Sequence, residues 1–133
     1  MIREEEPSLI DPPPFVYRLV TGDDWARALE SGAIPLAPID EADGYIHLSP
    51  PEQFLETARL YFQGHPALFA VELEAKALGE ALRWEEVPSR GGRLFPHLYA
   101  AELPLSAAVA RLALEPLDGG GFRISGRHPY PAA

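Results

Sequence analysis

The chain has 133 residues and a mass of 14.6 kDa, enough for one domain and too short for a tandem arrangement. Acidic side chains outnumber basic ones 20 to 11, a formal charge of −9, so the global field disfavours general nucleic-acid binding and anionic membrane surfaces. Cysteine is absent, which excludes disulfides, thiolate nucleophiles and cysteine-ligated zinc, and any chemistry must use oxygen or nitrogen groups. The 47% apolar content is that of a globular chain with a sizeable core. No stretch approaches the ~18 apolar residues of a membrane span, and the start lacks a signal-peptide pattern, so a cytoplasmic protein is expected.

In chain order, residues 1–14 place an acidic run and Pro7 before Pro12-Pro13-Pro14, which reads as a flexible leader. Residues 15–20 are β-branched and aromatic and read as a strand. Thr21 is placed to cap a helix that runs to about Ser31, with Trp25, Ala28 and Leu29 on one face and Gly32 as its stop. Asp43-Gly44 then turns into a strand over 45–49. Ser49-Pro50-Pro51-Glu52 reads as a capping box with Pro50 at the first helical position. The second helix carries Phe54, Leu55, Ala58, Tyr61 and Phe62 on one stripe and stops at Gly64. Residues 67–73, 82–87, 94–100 and 109–114 read as further strands. The single globular domain is expected over 15–117. Residues 118–133 read as a C-terminal tail with at most a short edge strand at 122–125. Two early helices followed by strands indicate an α+β domain with a mainly antiparallel sheet.

In a strand, residues two apart share a face. Tyr45, His47 and Ser49 therefore lie together, as do Arg83 with Glu85, and Phe95 with His97 and Tyr99. Each of these strands offers one apolar face and one face whose content suits a ligand site, provided the strands are neighbours. His47 reads either as a general base or anion donor, or as a ring satisfied by the backbone. Ser49 reads first as a helix cap beside free amides that attract an anion. Arg83 and Glu85 read either as an exposed ion pair or as groups that orient a ribose. The Phe95-Pro96-His97-Leu98-Tyr99 segment suits either a flat ring or cross-strand packing. Arg90 and Arg93 flank Gly91-Gly92, a loop that either folds over a phosphate or is simply solvated. Phosphate-loop, dinucleotide-fold and nucleophile-elbow patterns are absent.

Four segments follow one another along the chain: Tyr17-Arg18-Leu19-Val20 with Trp25 and Gly32, Asp43-Gly44-Tyr45-Ile46-His47-Leu48-Ser49 with Gln53, Arg83-Trp84-Glu85, and Phe95-Pro96-His97-Leu98-Tyr99. Over about Tyr17 to Leu114 they resemble the bacterial and plant family catalogued as domain of unknown function 952. The resemblance implies a fold similar to the ADP-ribosyltransferase type, a split and strongly bent sheet whose cleft holds NAD in active relatives. It sets Tyr17-Arg18 where those relatives carry a Tyr-His pair, and makes Glu85 the nearest candidate for their catalytic glutamate. The expectation is an enzyme-like domain, a transferase or hydrolase, that binds NAD or another phosphate-bearing nucleotide. His47, Glu85 and His97 are its candidate catalytic residues, and Tyr17, Arg18, Tyr45, Ser49, Arg83 and Tyr99 its candidate substrate contacts, with no metal in the site. Two alternatives stand beside it: a non-catalytic module for a small molecule or protein, and a metal site of His47, His97 and Glu85.

Overall fold

The computed structural model describes residues 12–131, so the expected leader lies outside the described residues apart from 12–14. Strand β1 (Phe15–Thr21) leads into helix α1 (Gly22–Ser31). The Thr21 hydroxyl accepts the Asp24 amide at 3.1 Å, and Gly32 closes the helix at φ 83°, a left-handed conformation that glycine adopts without side-chain strain. Next come β2 (Ala33–Ile34), α2 (Pro38–Asp43), β3 (Ile46–His47), α3 (Phe54–Tyr61), β4 (Leu68–Glu74) and α4 (Ala75–Leu78). The rest is β5 (Leu82–Val87), β6 (Arg93–Leu98), β7 (Leu103–Pro104), β8 (Ala108–Pro116) and β9 (Phe122–Pro129).

The strands form a four-stranded sheet in the order β1-β4-β8-β9, a three-stranded sheet β3-β6-β5, and the two-stranded ribbon β2-β7, all antiparallel. The fold is therefore mixed, with mostly antiparallel sheets and few helices. Among the described residues no helix is long and apolar enough to cross a membrane. The larger sheet is covered on both faces. Val16, Val20, Val71 and Leu73 face one apolar cluster with Trp25, Ile46, Leu48 and Leu98. Tyr17, Leu68, Ala70 and Leu112 face the other, with Phe54 and Ala58 of α3.

Three local readings need correction. The expected capping box at Ser49 does not form: α3 begins at Phe54 with Gln53 in the cap position. The reason is steric, since Pro51 disfavours the helical region for the residue before it, which works against a helix start at Pro50. The strand expected over 45–49 is shorter: Ile46 and His47 pair with β6, Leu48 adds one backbone bond to the Pro96 carbonyl at 3.1 Å, and Ser49 bridges to Tyr17 of β1. The edge strand expected at 122–125 runs on to Pro129 and pairs with β8 along its length. Helices α2 and α4 are additional to the two expected.

Candidate functional site

Helix α2 is six residues long, with Pro38 at its start, Asp40 and Glu41 in its first turn, and Gly44 as its stop. It carries Asp40 into the protein, where only 2% of the residue is exposed. Five donors converge on this carboxylate. Arg18 donates from Nη1 at 3.2 Å and from Nη2 at 2.7 Å, and Ala37 donates its amide at 2.7 Å. His47 donates its own amide at 3.0 Å and Nδ1 at 2.8 Å. Burial alone would raise the Asp40 pKa, but the hydrogen bonds from His47 and Arg18 outweigh it and hold the carboxyl well below the usual carboxylate range. Arg18 also donates to the His47 carbonyl at 2.9 Å, so its charge is spent inside the wall of the site.

On the other side of the His47 ring, Nε2 lies 2.8 Å from the Asp43 carboxylate. A ring with a carboxylate on each nitrogen is satisfied only when both nitrogens donate, so His47 is held as an imidazolium. Its pKa is raised accordingly, by the bond to Asp40 first, against burial and with help from Asp43.

The pairing of β3 with β6 sets His47 opposite His97, and that of β5 with β6 sets Arg83 opposite His97. The alternation of faces brings Tyr45, His47, His97 and Tyr99 to one side. The Tyr45 ring stacks on His97 at 4.1 Å between centroids, tilts against His47 at 4.7 Å and against Tyr99 at 5.3 Å. His97 Nδ1 is 2.8 Å from Glu85 Oε1, which also accepts from the Tyr99 hydroxyl at 2.7 Å. Burial pushes the His97 pKa down, only partly offset by Glu85, so this ring prefers to be neutral. The Glu85 bond then places the single proton on Nδ1 and leaves the lone pair on Nε2, which has no protein partner among the described residues.

Tyr45, His47 and His97 border a cavity of about 480 Å³ between β1, α3, the β5–β6 turn and the mixed face of the smaller sheet. His47, His97, Tyr45, Ser49 and Thr57 line it, among Leu19, Leu48, Phe62 and Phe95, with Arg90 at the β5–β6 turn and Tyr61 and Ile39 largely exposed. A second depression of about 590 Å³ lies between α1 and β2, around Arg27, Glu30 and Ile34, and contains neither histidine nor tyrosine.

Of the residues singled out from sequence, Tyr17, Arg18, Tyr45, His47, Ser49 and His97 border the cavity. Arg83, Glu85 and Tyr99 stand behind His97, Arg83 lying over the Tyr99 ring at 4.8 Å. The Tyr17 hydroxyl donates to Glu72 at 2.7 Å on the far face of the sheet, and burial, together with Glu72, pushes its pKa up. Ser49 Oγ pairs with Thr57 Oγ1 at 3.2 Å, so it neither caps a helix nor marks free helix amides. The proposed metal set does not converge, since His47 spends both nitrogens on aspartates, and no metal-ligating group of three is present among the described residues. Sequence reasoning missed Asp40, Asp43 and Thr57 as parts of the site. The signal for the two aspartates was the proline, acidic first turn and glycine stop of α2.

The two histidines impose opposite pH dependences on stability. His47 is raised above its ordinary 6.5, so its contribution is complete below that value and fades as pH rises through its folded pKa. His97 is lowered below 6.5, so its contribution is complete above that value and fades as pH falls through its folded pKa. Urea denaturation across the imidazole range is expected to show greatest stability near that ordinary value. His47→Gln should remove the decline on the alkaline side.

The model of the family described as "Protein of unknown function (DUF952)" matches residues 19–111. The X-ray crystal structure of protein CC0527 from Caulobacter crescentus is 37% identical with a TM-score of 0.75, and the match covers 82% of this chain and 93% of that one. The solution NMR structure of CC0527 superposes with a TM-score of 0.70 at 37% identity, over 82% of this chain and 91% of that one. No curated protein matches the chain.

Proposed function

We propose, for a chain that belongs to the DUF952 family of proteins of unknown function, that the cavity takes a phosphate-bearing small molecule of nucleotide type and that two histidines move a proton on it. His97 is the acceptor through Nε2, and His47 is the donor through its own Nε2–H, which reaches the ligand once the exposed Asp43 carboxylate swings aside while Asp40 keeps Nδ1. The observation that carries this reading is that the two rings, 5.8 Å apart on one cavity wall, have their pKa values pushed in opposite directions, His47 up by its aspartates and His97 down by burial. A pair of titratable groups held apart in this way suits acid–base catalysis at neutral pH. The aromatic and aliphatic lining offers a flat, apolar surface for a base, and Arg90 on the wall, which has no carboxylate partner among the described residues, favours an anion despite the net charge of −9.

A second reading, ADP-ribosyl transfer from NAD with Glu85 steadying an oxocarbenium-like centre, has in its favour a partly exposed carboxylate beside the histidines. It is less well supported because Glu85 does not line the cavity and its Oε1 is already engaged by His97 and Tyr99. A thermal-shift screen of nucleotides, NAD fragments and sugar phosphates, followed by chromatography of each stabilising compound after incubation, separates the possibilities. A stabilising nucleotide that is converted supports the leading reading. Stabilisation with no product under any condition leaves a binding module, and no stabilisation by any phosphate compound contradicts both enzymatic readings.

A further inference from the structure

Arg90 sits in the turn between β5 and β6, half-buried, with its guanidinium carbon 4.6 Å from the centre of the Phe95 ring. Nη1 donates to Thr57 Oγ1 at 3.0 Å and Nη2 donates to Gln53 Oε1 at 2.7 Å. Both acceptors are neutral. Thr57 donates its own proton to the Gln53 carbonyl at 3.1 Å, which leaves its oxygen free to receive Arg90 and Ser49. Arg90 forms no ion pair among the described residues, and the nearby Glu56 carboxylate is already taken by Arg59 at 2.6 Å and 2.8 Å. Arg18, by contrast, is neutralised by Asp40. Burial holds the Arg90 pKa below the ordinary arginine value, as expected of a cation that has given up water without gaining a counter-charge.

The geometry points to Arg90 as the anion anchor of the cavity: a guanidinium fixed in direction by Thr57, Gln53 and Phe95 but paired with no carboxylate among the described residues, with N–H groups left for a phosphate oxygen. This inference rests on the phosphate-bearing ligand proposed above and names the residue that receives it. A planar fork held by neutral acceptors presents paired donors at little further ordering cost, which suits a phosphate or pyrophosphate group. The base or other flat portion then extends toward the Tyr45 and His97 rings, which puts the reacting centre between the anchor and the histidines.

Titration of inorganic pyrophosphate into the isotopically labelled chain, followed by NMR, tests this. Pyrophosphate is expected to shift the amides of Ser89, Arg90 and Gly91 together with the His47 and His97 ring signals. Arg90→Gln should weaken its affinity roughly ten- to hundredfold, the loss of charged hydrogen bonds. Arg90→Lys, which keeps the charge and loses the fork, should fall between. Arg123→Gln, in an ion pair on the edge strand, should bind as the parent does. If Arg90→Gln remains folded and binds pyrophosphate as tightly while the histidine signals still shift, the anchor is overturned and the cavity reading survives. Should Arg90→Gln not fold, a lysine variant with parental affinity overturns the anchor instead. Absence of any shift at the cavity would contradict both.

Discussion

Asp40→Ala is expected to remove about 3–5 kcal/mol of folding stability, read as a lower denaturation midpoint with an unchanged slope. The loss follows from what the carboxylate leaves behind. Arg18 is nine-tenths buried, and without Asp40 its guanidinium keeps only the His47 carbonyl as an acceptor. The amides of Ala37 and His47 lose their acceptor in the same step. Because the Asp40 pKa is depressed below its ordinary 3.8, its contribution is complete above that value and is lost as pH falls through the folded pKa. The variant should therefore lose most against the parent at neutral pH and converge with it in acid. Its His47 should also titrate lower, since Asp43 alone remains beside the ring. A loss below about 1 kcal/mol would show that Asp40 does not organise this wall.

The second large effect concerns turnover. Once a converted nucleotide is identified, His97→Gln is expected to reduce its rate about 10²–10⁴-fold with little change in binding, the range for removal of a positioned acid or base. Glu85→Gln keeps a hydrogen bond to His97 but not the charge that orients and supports the ring, so a smaller loss is expected, together with an altered pH profile. The opposite ranking, with Glu85→Gln abolishing cleavage of NAD and His97→Gln nearly silent, would favour oxocarbenium stabilisation by Glu85 over proton transfer by the histidines.

Much of this arrangement is legible in the residues because it depends on period. Alternation along 45–49, 82–87 and 94–100 correctly sorts Tyr45, His47, His97 and Tyr99 to one face, and cross-strand register then supplies the contacts. The cap of α1 is similarly local, a threonine three residues before the amide that it accepts. Sequence reading fails where the deciding interaction is distant. Asp40 reads as one acid in a proline-punctuated stretch, and its importance comes from Arg18, 22 positions away. Arg18 reads as a cation for the ligand because its buried partner is not visible from Tyr17-Arg18 alone. Ser49 misleads for the opposite reason: the local pattern is persuasive, but the proline pair disfavours the helix start, and the hydroxyl turns to Thr57. The turn residues after 118 conceal a full strand because β8 supplies its hydrogen bonds.

Proton titration of the His47 and His97 rings by NMR in the unliganded chain most directly tests whether these neighbouring imidazoles are held in different charge states. His47 should titrate above 6.5 and His97 below it, with the gap narrowing in Asp40→Asn. Coincident titration of both rings near that value, or the reverse order, would contradict the assignment of donor and acceptor from which the proposed chemistry follows.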